Sequence, residues 1–407
     1  MAIKKIAAVI CEYNPFHAGH AALLEELRAR EGKETAIVAI MSGNYTQRGE
    51  PALFPKLTRA ACAVKGGADL VLELPFPYSC SGAERFSTAA VHIANSLGCI
   101  DLLFFGSEHG RTEELYRLAE RMEAPAFTEA YFTASYHNGL GCAQKAEAIY
   151  RAVYGEEDPL LSLLREPNNL LGVEYIRALL RSRSSIRPLA LPRIGMKHDA
   201  SCPAANVMFT AAGAARGALM QQETREAALL RLPAAVRDAL QGACQDGLIL
   251  AREARWLSYC LLHYRNEDRK ALCLCDGMAG GLGDRMIQAA RQAATPDEFF
   301  SMLRSKKHTD AYLRRALLYG VFGVRREQLN APPPYTQILA MNATGQELLG
   351  RMRKCATLPL LNRPSAIRQV EDACENSFRA DSLYCALLER PMRPCDLYRY
   401  RPYREDM

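Results

Sequence analysis

No stretch of this sequence is apolar for long enough to cross a bilayer, and its first residues lack the pattern of a secretory leader. No C-x-x-C occurs either. The 14 cysteines are irregularly spaced, with Cys273 and Cys275 the nearest pair, so neither a structural zinc site nor any other dedicated metal site is expected. Without a leader, reduced thiols and a cytoplasmic location are the expectation. There is no internal repeat and no low-complexity tract. What is present is an ordinary globular composition, 407 residues with 49% hydrophobic and 24% charged side chains, which is enough for two or three domains with sizeable cores.

Excess charge is also missing from most of the chain. Residues 1–300 carry 33 Lys+Arg against 34 Asp+Glu, whereas residues 301–407 carry 18 against 11. The net charge of +6 therefore lies wholly at the C-terminal end. A basic end of this kind fits either a polyanionic partner or a solvated surface with none.

The first hundred residues alternate. Apolar runs at 4–10, 35–41, 69–74 and 101–105 read as strands, and residues 21–30, 56–65, 83–96 and 112–121 read as helices. This alternation predicts a parallel sheet with right-handed crossovers, a Rossmann-like domain whose ligand sits at the C-terminal ends of the strands. A further strand is expected at 185–194, and an alanine-rich helix carrying Arg216 at 201–222. From residue 223 onwards the pattern is helical, so the expected organisation is a Rossmann-like nucleotide-binding domain over 1–222 and a mostly helical, basic region over 223–407. The most basic helix is expected at 306–315. The tail from Tyr398 to Arg404 interleaves aromatics and arginines, a mixture that stacks on bases and pairs with phosphates when it is not packed on the domain.

Glu12-Tyr13-Asn14-Pro15-Phe16-His17-Ala18-Gly19-His20 follows the first strand and opens the first helix. Backbone N–H groups and the helix dipole at such a junction attract phosphate. Two imidazoles at i and i+3 share one helix face, and Gly19 leaves room for a nucleotide against the backbone. An isolated H-x-x-H would equally be a helix cap or half of a metal site. The preceding strand, the Asn-Pro turn and the internal glycine favour a nucleotide site for phosphoryl chemistry. The later strand ends add Ser42, Gly43, Asn44 and Arg48, then Gly106 and Glu108, and finally Arg193.

The segment resembles the H-x-G-H signature of the nucleotidyltransferase superfamily, which includes cofactor adenylyltransferases and class I aminoacyl-tRNA synthetases. Four further motifs, in order, are similar to those of the tRNA(Met) cytidine acetate ligases: M-S-G-N-Y-T-Q-R-G-E-P-A from Met41, E-L-P-F-P-Y from Glu73, P-N-N-L-L-G-V-E-Y from Pro167 and R-I-G from Arg193. The resemblance implies ATP-dependent acetylation of N4 of the wobble cytidine in elongator tRNA(Met). Acetate is first activated as acetyl-adenylate, with Mg²⁺ arriving on ATP. It implies that His17, His20 and Arg193 act in catalysis. It places Ile10, Cys11, Glu12, Tyr13, Asn14, Pro15, Phe16, His17, Gly19, His20, Gly106, Asn168, Asn169, Arg193 and Ile194 around ATP. Ser42, Gly43, Asn44 and Arg48 would close the acetate side. Lys306, Lys307, Arg314 and Arg315 are the expected tRNA contacts.

The chain departs from the family pattern in three places. S-A-T-A-I-R is replaced by Ala211-Ala212-Gly213-Ala214-Ala215-Arg216, which removes two hydroxyls expected to hold the leaving phosphates. D-K-W-T-R reads Pro55-Lys56-Leu57-Thr58-Arg59, and the arginine of P-Y-I-R is Gln337. Two other functions compete with the ligase. One is a small-molecule adenylyltransferase, which needs little beyond the Rossmann core. The other is an RNA-binding homologue with impaired catalysis.

Overall fold

The first apolar runs form strands covered on both faces. Lys5–Cys11 (β1) is buried along its centre and Thr35–Ser42 (β2) along its whole length. Side chains alternate between two cores, as the two-residue period of a strand requires. Ala7, Val9, Ile37 and Ala39 enter one core, while Ile6, Ala8, Ala36 and Val38 enter the other. The computed structural model describes residues 3–133, 142–193, 208, 211–251, 254–267, 269–362, 366, 370–398 and 401–405.

The crossovers are helical. Ala18–Glu31 (α1) follows β1 and Lys56–Lys65 (α2) follows β2; Leu70–Leu74 (β3) precedes Ala83–Ser96 (α3), and Leu102–Ser107 (β4) precedes Thr112–Glu123 (α4). Then come Pro125–Thr133 (α5), Cys142–Tyr154 (α6), Pro167–Arg181 (α7) and Arg187–Pro192 (β5). A helical stretch follows: Ala212–Met220 (α8), Gln222–Leu230 (α9), Ala234–Gln245 (α10), Ala254–Asn266 (α11), Arg269–Leu272 (α12), Leu282–Gln292 (α13), Pro296–Leu303 (α14), Asp310–Phe322 (α15) and Arg326–Asn330 (α16). The chain then adds Thr336–Met341 (β6), Ala343–Cys355 (α17), Leu360–Leu361 (β7), Glu371–Leu387 (α18) and Tyr403–Arg404 (β8).

The sheet order is β5-β4-β1-β2-β3-β6-β7, with β8 beside β6; β1 to β5 are mutually parallel and β6 runs antiparallel to β3. The chain moves from β1 outward to β2 and β3, then returns to place β4 on the other side of β1. That reversal opens a crevice at the C-terminal ends of β1 and β4, where ligands of open α/β sheets bind.

Several expectations change. α1 begins at Ala18 rather than residue 21, so His17 is its N-cap and lies outside the helix. The Pro167-Asn168-Asn169 stretch, read as a loop, is the first turn of α7, with proline at a position where its missing N–H costs nothing. Pro233 splits the helix expected at 229–240 into α9 and α10. Lys306 and Lys307 lie in a turn before α15, because Thr309 accepts a hydrogen bond from the Tyr312 N–H and starts the helix there.

The largest difference is that the helical region returns to the sheet through β6. Its six residues follow three prolines, too short a run to separate from a buried helix by periodicity. The apolar core on one face likewise continues past residue 222, from Ala7 and Leu219 to Leu229 and Leu388. The end of the aromatic tail is packed as well, since Tyr403 pairs with Ala340 and lies under the Lys65 ammonium, 5.8 Å from the ring centre, while residues 399 and 400 lie outside the described residues. The end of the expected 185–194 strand and the first part of the alanine-rich helix lie outside the described residues. Among the described residues no helix is long and apolar enough to cross a membrane.

Candidate nucleotide-binding active site

His17 is extended, with φ −140° and ψ 174°, and its Nδ1 accepts the Gly19 N–H at 3.1 Å. His20 answers from the first turn: its Nδ1 accepts the His17 N–H at 3.3 Å. The two rings form a reciprocal capping box and stack at 3.6 Å between centres, tilted by 22°. Stacking thus arises from a cap and its N3 residue, not from two positions on one helix face. With Nδ1 accepting a backbone N–H, the neutral His20 imidazole carries its proton on Nε2, on the ring edge away from the cap. Burial, reinforced by His17 and Arg193, holds the His20 pKa well below the usual imidazole range, so this ring is neutral at pH 7. No acidic residue occupies the first turn of α1, which leaves its positive end uncompensated by the protein's own carboxylates there.

The preceding segment is fixed from several directions. Tyr13 (φ 45°) sets its ring edge-on to His20 at 4.8 Å, and Phe16 lies 5.6 Å from the same ring. The Asn14 side-chain oxygen accepts the Leu53 N–H at 2.8 Å, and its carbonyl accepts Arg216 at 3.1 Å. Ile10 belongs to the apolar core. Burial pushes the Cys11 thiol up, which makes it a poor nucleophile.

Across the crevice, Glu108 organises the start of α7. Its carboxylate accepts the Asn168 side-chain amide at 2.6 Å and the backbone N–H groups of Asn168 and Asn169 at 3.3 and 3.0 Å. The Glu108 N–H donates to the Asn169 side chain at 3.2 Å. Arg193 donates to the Asn168 side-chain oxygen at 2.7 Å, and its stem lies over Gly106, where a Cβ would stand 3.0 Å from the Arg193 Cγ. Burial works against the Arg193 charge, while Glu108 supports it. Asn169 is 1% exposed, and its Nδ2 has no partner among the described residues, a donor left for a ligand to satisfy. The crevice therefore joins His17, His20, Gly106, Asn168, Asn169 and Arg193. Ile194 lies outside the described residues.

The second strand end does something else. The Asn44 amide is spent on both sides: its oxygen accepts the Lys56 N–H at 2.7 Å, capping α2, and its nitrogen donates to Asp381 at 2.7 Å. The Lys56 ammonium bridges Glu73, at 2.8 and 2.9 Å, and Asp381, at 2.8 Å, all three buried. Arg59, 1% exposed, donates to the carbonyls of Glu12, Ser42, Gly43 and Phe54. The Asn44 side chain and the Ser42 and Gly43 carbonyls are thus held by buried cations and helix ends, while the Ser42 hydroxyl, also buried, has no partner among the described residues. Arg48 is exposed on a turn beyond them. Arg314 pairs with Glu50 and Arg315 donates to the Gln47 carbonyl at 2.9 Å, so these two expected RNA contacts also hold that turn.

Sequence reading noted Glu108 but gave it no task, and it missed the Lys56–Glu73–Asp381 cluster. The signal for the first was a carboxylate two residues past a glycine strand end. The second depends on Asp381, 325 residues from Lys56, which no local pattern connects.

A family model described as HIGH Nucleotidyl Transferase matches residues 4–396. The tRNA(Met) cytidine acetate ligase of Syntrophotalea carbinolica is 33% identical over 369 residues, covering 89% of this chain and 86% of that protein. The enzyme of the same name from Listeria monocytogenes is 31% identical over 385 residues, covering 93% and 94%. The crystal structure of Thermotoga maritima TmcAL bound with alpha-thio ATP superimposes with a TM-score of 0.88 at 27% identity, covering 98% of this chain and 100% of that one. A switch-point crevice entered by two capping histidines, on a chain matched almost end to end, defines a nucleotidyltransferase of the HIGH class. Within that class the chain belongs to the tRNA(Met) cytidine acetate ligase family.

Proposed function

We propose that this protein uses ATP to join acetate to N4 of the wobble cytidine in elongator tRNA(Met). The observation that carries the reading is the reciprocal histidine cap at the sheet's switch point, opposite Arg193 and the Asn169 side-chain nitrogen, which has no partner among the described residues. An acetate oxygen attacks the α-phosphorus, the bond to pyrophosphate breaks, and acetyl-adenylate forms. The cytidine N4 then attacks the acyl carbon, the bond to AMP breaks, and N4 loses a proton. Negative charge builds at the α-phosphate in the first step, where the Nε2–H groups of His17 and His20 and the Arg193 guanidinium stabilise it. Residues 10–20, Gly106, Asn168, Asn169 and Ile194 hold ATP, and Mg²⁺ enters on its phosphates. The catalytic half is residues 1–222. The remainder carries RNA contacts, Lys306 and Lys307 among them, and also completes the sheet. Reaction in the cytoplasm follows from the substrate.

The test is incubation with ATP, acetate and unmodified tRNA(Met), with mass spectrometry of the nucleosides. Acetylcytidine that requires both small substrates supports the ligase. Adenylylation of a mononucleotide or phosphopantetheine would replace it with a cofactor adenylyltransferase. Salt-sensitive tRNA binding without turnover would leave an RNA-binding homologue.

The missing hydroxyls give a second measurement. Ala211 is the N-cap of α8 with no side-chain bond, and a Cβ on Gly213 would meet nothing within 4 Å. The Ala211→Ser/Gly213→Thr variant is expected to gain about 1 kcal/mol of stability from the cap. Its kcat should rise about tenfold, the worth of one phosphate hydrogen bond at about 1–3 kcal/mol. An unchanged kcat in steady-state assays would show that pyrophosphate departs without these hydroxyls.

A further inference from the structure

The turn at residues 46–50 is clamped more firmly than a loop on a protein surface needs. Within it, the Gly49 N–H donates to the Thr46 carbonyl and the Thr46 N–H to the Glu50 carbonyl, both at 2.9 Å. Gly49, at φ 79°, lies so close to α15 that a Cβ would stand 2.6 Å from the Arg315 nitrogen and 2.8 Å from the Arg314 Cβ. Arg314 and Arg315 bind the turn from that side, and the Gln47 N–H donates to Glu12 at 2.7 Å from the other. The turn therefore joins the ATP-side segment to α15. At its tip stands Arg48, exposed and with no hydrogen bond or ion pair among the described residues.

Other cations continue from this point. Arg314 lies 5.4 Å from the centre of the Phe300 ring, and Arg304 lies 5.3 Å from the same ring. Arg304 pairs with Asp310 at 2.9 Å. Lys306 and Lys307 follow within three residues; both are exposed and neither has a partner among the described residues. Glu50 neutralises Arg314 and Asp310 neutralises Arg304, while Arg315 is turned in to the Gln47 carbonyl, so the exposed cations left without a partner among the described residues here are Arg48, Lys306 and Lys307. Three uncompensated cations on a rigid ridge, beginning beside the ATP segment, match a chain of phosphates. A single small carboxylate would need an enclosed site.

We propose that Arg48, Lys306 and Lys307 form a phosphate-tracking ridge that holds the backbone of the substrate RNA as its target base enters the crevice. Arg314 and Arg315 are positioning residues of that ridge. This assignment rests on the tRNA reading above, and it moves Arg48 from the acetate side to the RNA side.

The test is fluorescence anisotropy with an unmodified tRNA(Met) transcript from 50 to 200 mM KCl, using the full chain. Arg48→Ala should weaken binding roughly 5–20-fold and lower the slope of log K against log salt by about 1; Lys306→Ala/Lys307→Ala should lower it by about 2. Lys33→Ala, an exposed lysine just before β2, at the N-terminal ends of the parallel strands and so away from the crevice, is the control and should do neither. An unaltered slope in Arg48→Ala, with an unaltered melting temperature, overturns the proposal. So does loss of acetate-dependent ATP–pyrophosphate exchange in Arg48→Ala without RNA, which would return Arg48 to the adenylating site. If the slopes fall as stated but wild-type protein makes no acetylcytidine, the ridge stands and the ligase reading fails.

Discussion

With His20 replaced by alanine, acetate-dependent ATP–pyrophosphate exchange is expected to fall by about 10²–10³-fold, the usual cost of one preorganised donor at developing charge, while tRNA affinity stays within about twofold. His20 does two things that the variant removes together: its Nδ1 accepts the His17 N–H, and its Nε2 carries a proton for the phosphate. His20→Gln separates them. Glutamine is a natural partner at this place in a capping box, so it restores the acceptor for the His17 N–H without an imidazole Nε2. The melting temperature should return towards wild type in His20→Gln and the exchange rate should not. Because burial, His17 and Arg193 keep the ring neutral well below pH 6.5, the rate loss should be equal at pH 7 and pH 8. Recovery of exchange in His20→Gln, or a parallel loss of tRNA affinity in His20→Ala, would remove His20 from the phosphate and make it a cap alone.

The histidine pair, the first four strands and their helices were legible because each depends on near neighbours. Strand runs, helix faces and an H-x-G-H stretch are patterns within a few residues, and α2 and α3 fall where periodicity places them. What the sequence could not carry depends on distant partners. β6 reads as a short apolar run until β3 is known to lie beside it. Arg314 and Arg315 read as RNA contacts because charge at a helix surface says nothing of the Glu50 and Gln47 groups that meet it. Asn44 belongs to a recognisable motif, yet its amide serves a buried charge cluster closed by Asp381 from α18. A resemblance in motif thus does not say whether its positions serve a substrate or the fold.

That cluster leads to the largest expected change in stability. Lys56→Met removes the ammonium from between Glu73 and Asp381 and leaves two carboxylates at 3% and 5% side-chain exposure. Breaking a buried pair from one side costs about 3–5 kcal/mol, and here one cation serves two anions, which places the variant at the upper end. In the wild type, burial works against the Lys56 charge, but Asp381 and Glu73 together hold its pKa above the ordinary lysine value. Burial already pushes the Glu73 carboxyl up against the pull of Lys56. Without the ammonium, its folded-state pKa rises further above that of the unfolded chain. A group of that kind stabilises the fold at pH below its unfolded value, and the contribution is lost as pH rises through the folded one. Urea denaturation of Lys56→Met should therefore show its largest deficit at pH 8 and a smaller one at pH 5, where a carboxyl takes up a proton on folding. The damage should also reach the site, since Asn44 caps α2 through the Lys56 N–H and Arg59 on the same helix holds the carbonyls of Glu12, Ser42 and Gly43. A deficit that does not change with pH would mean that packing, and not the stranded carboxylates, sets the loss.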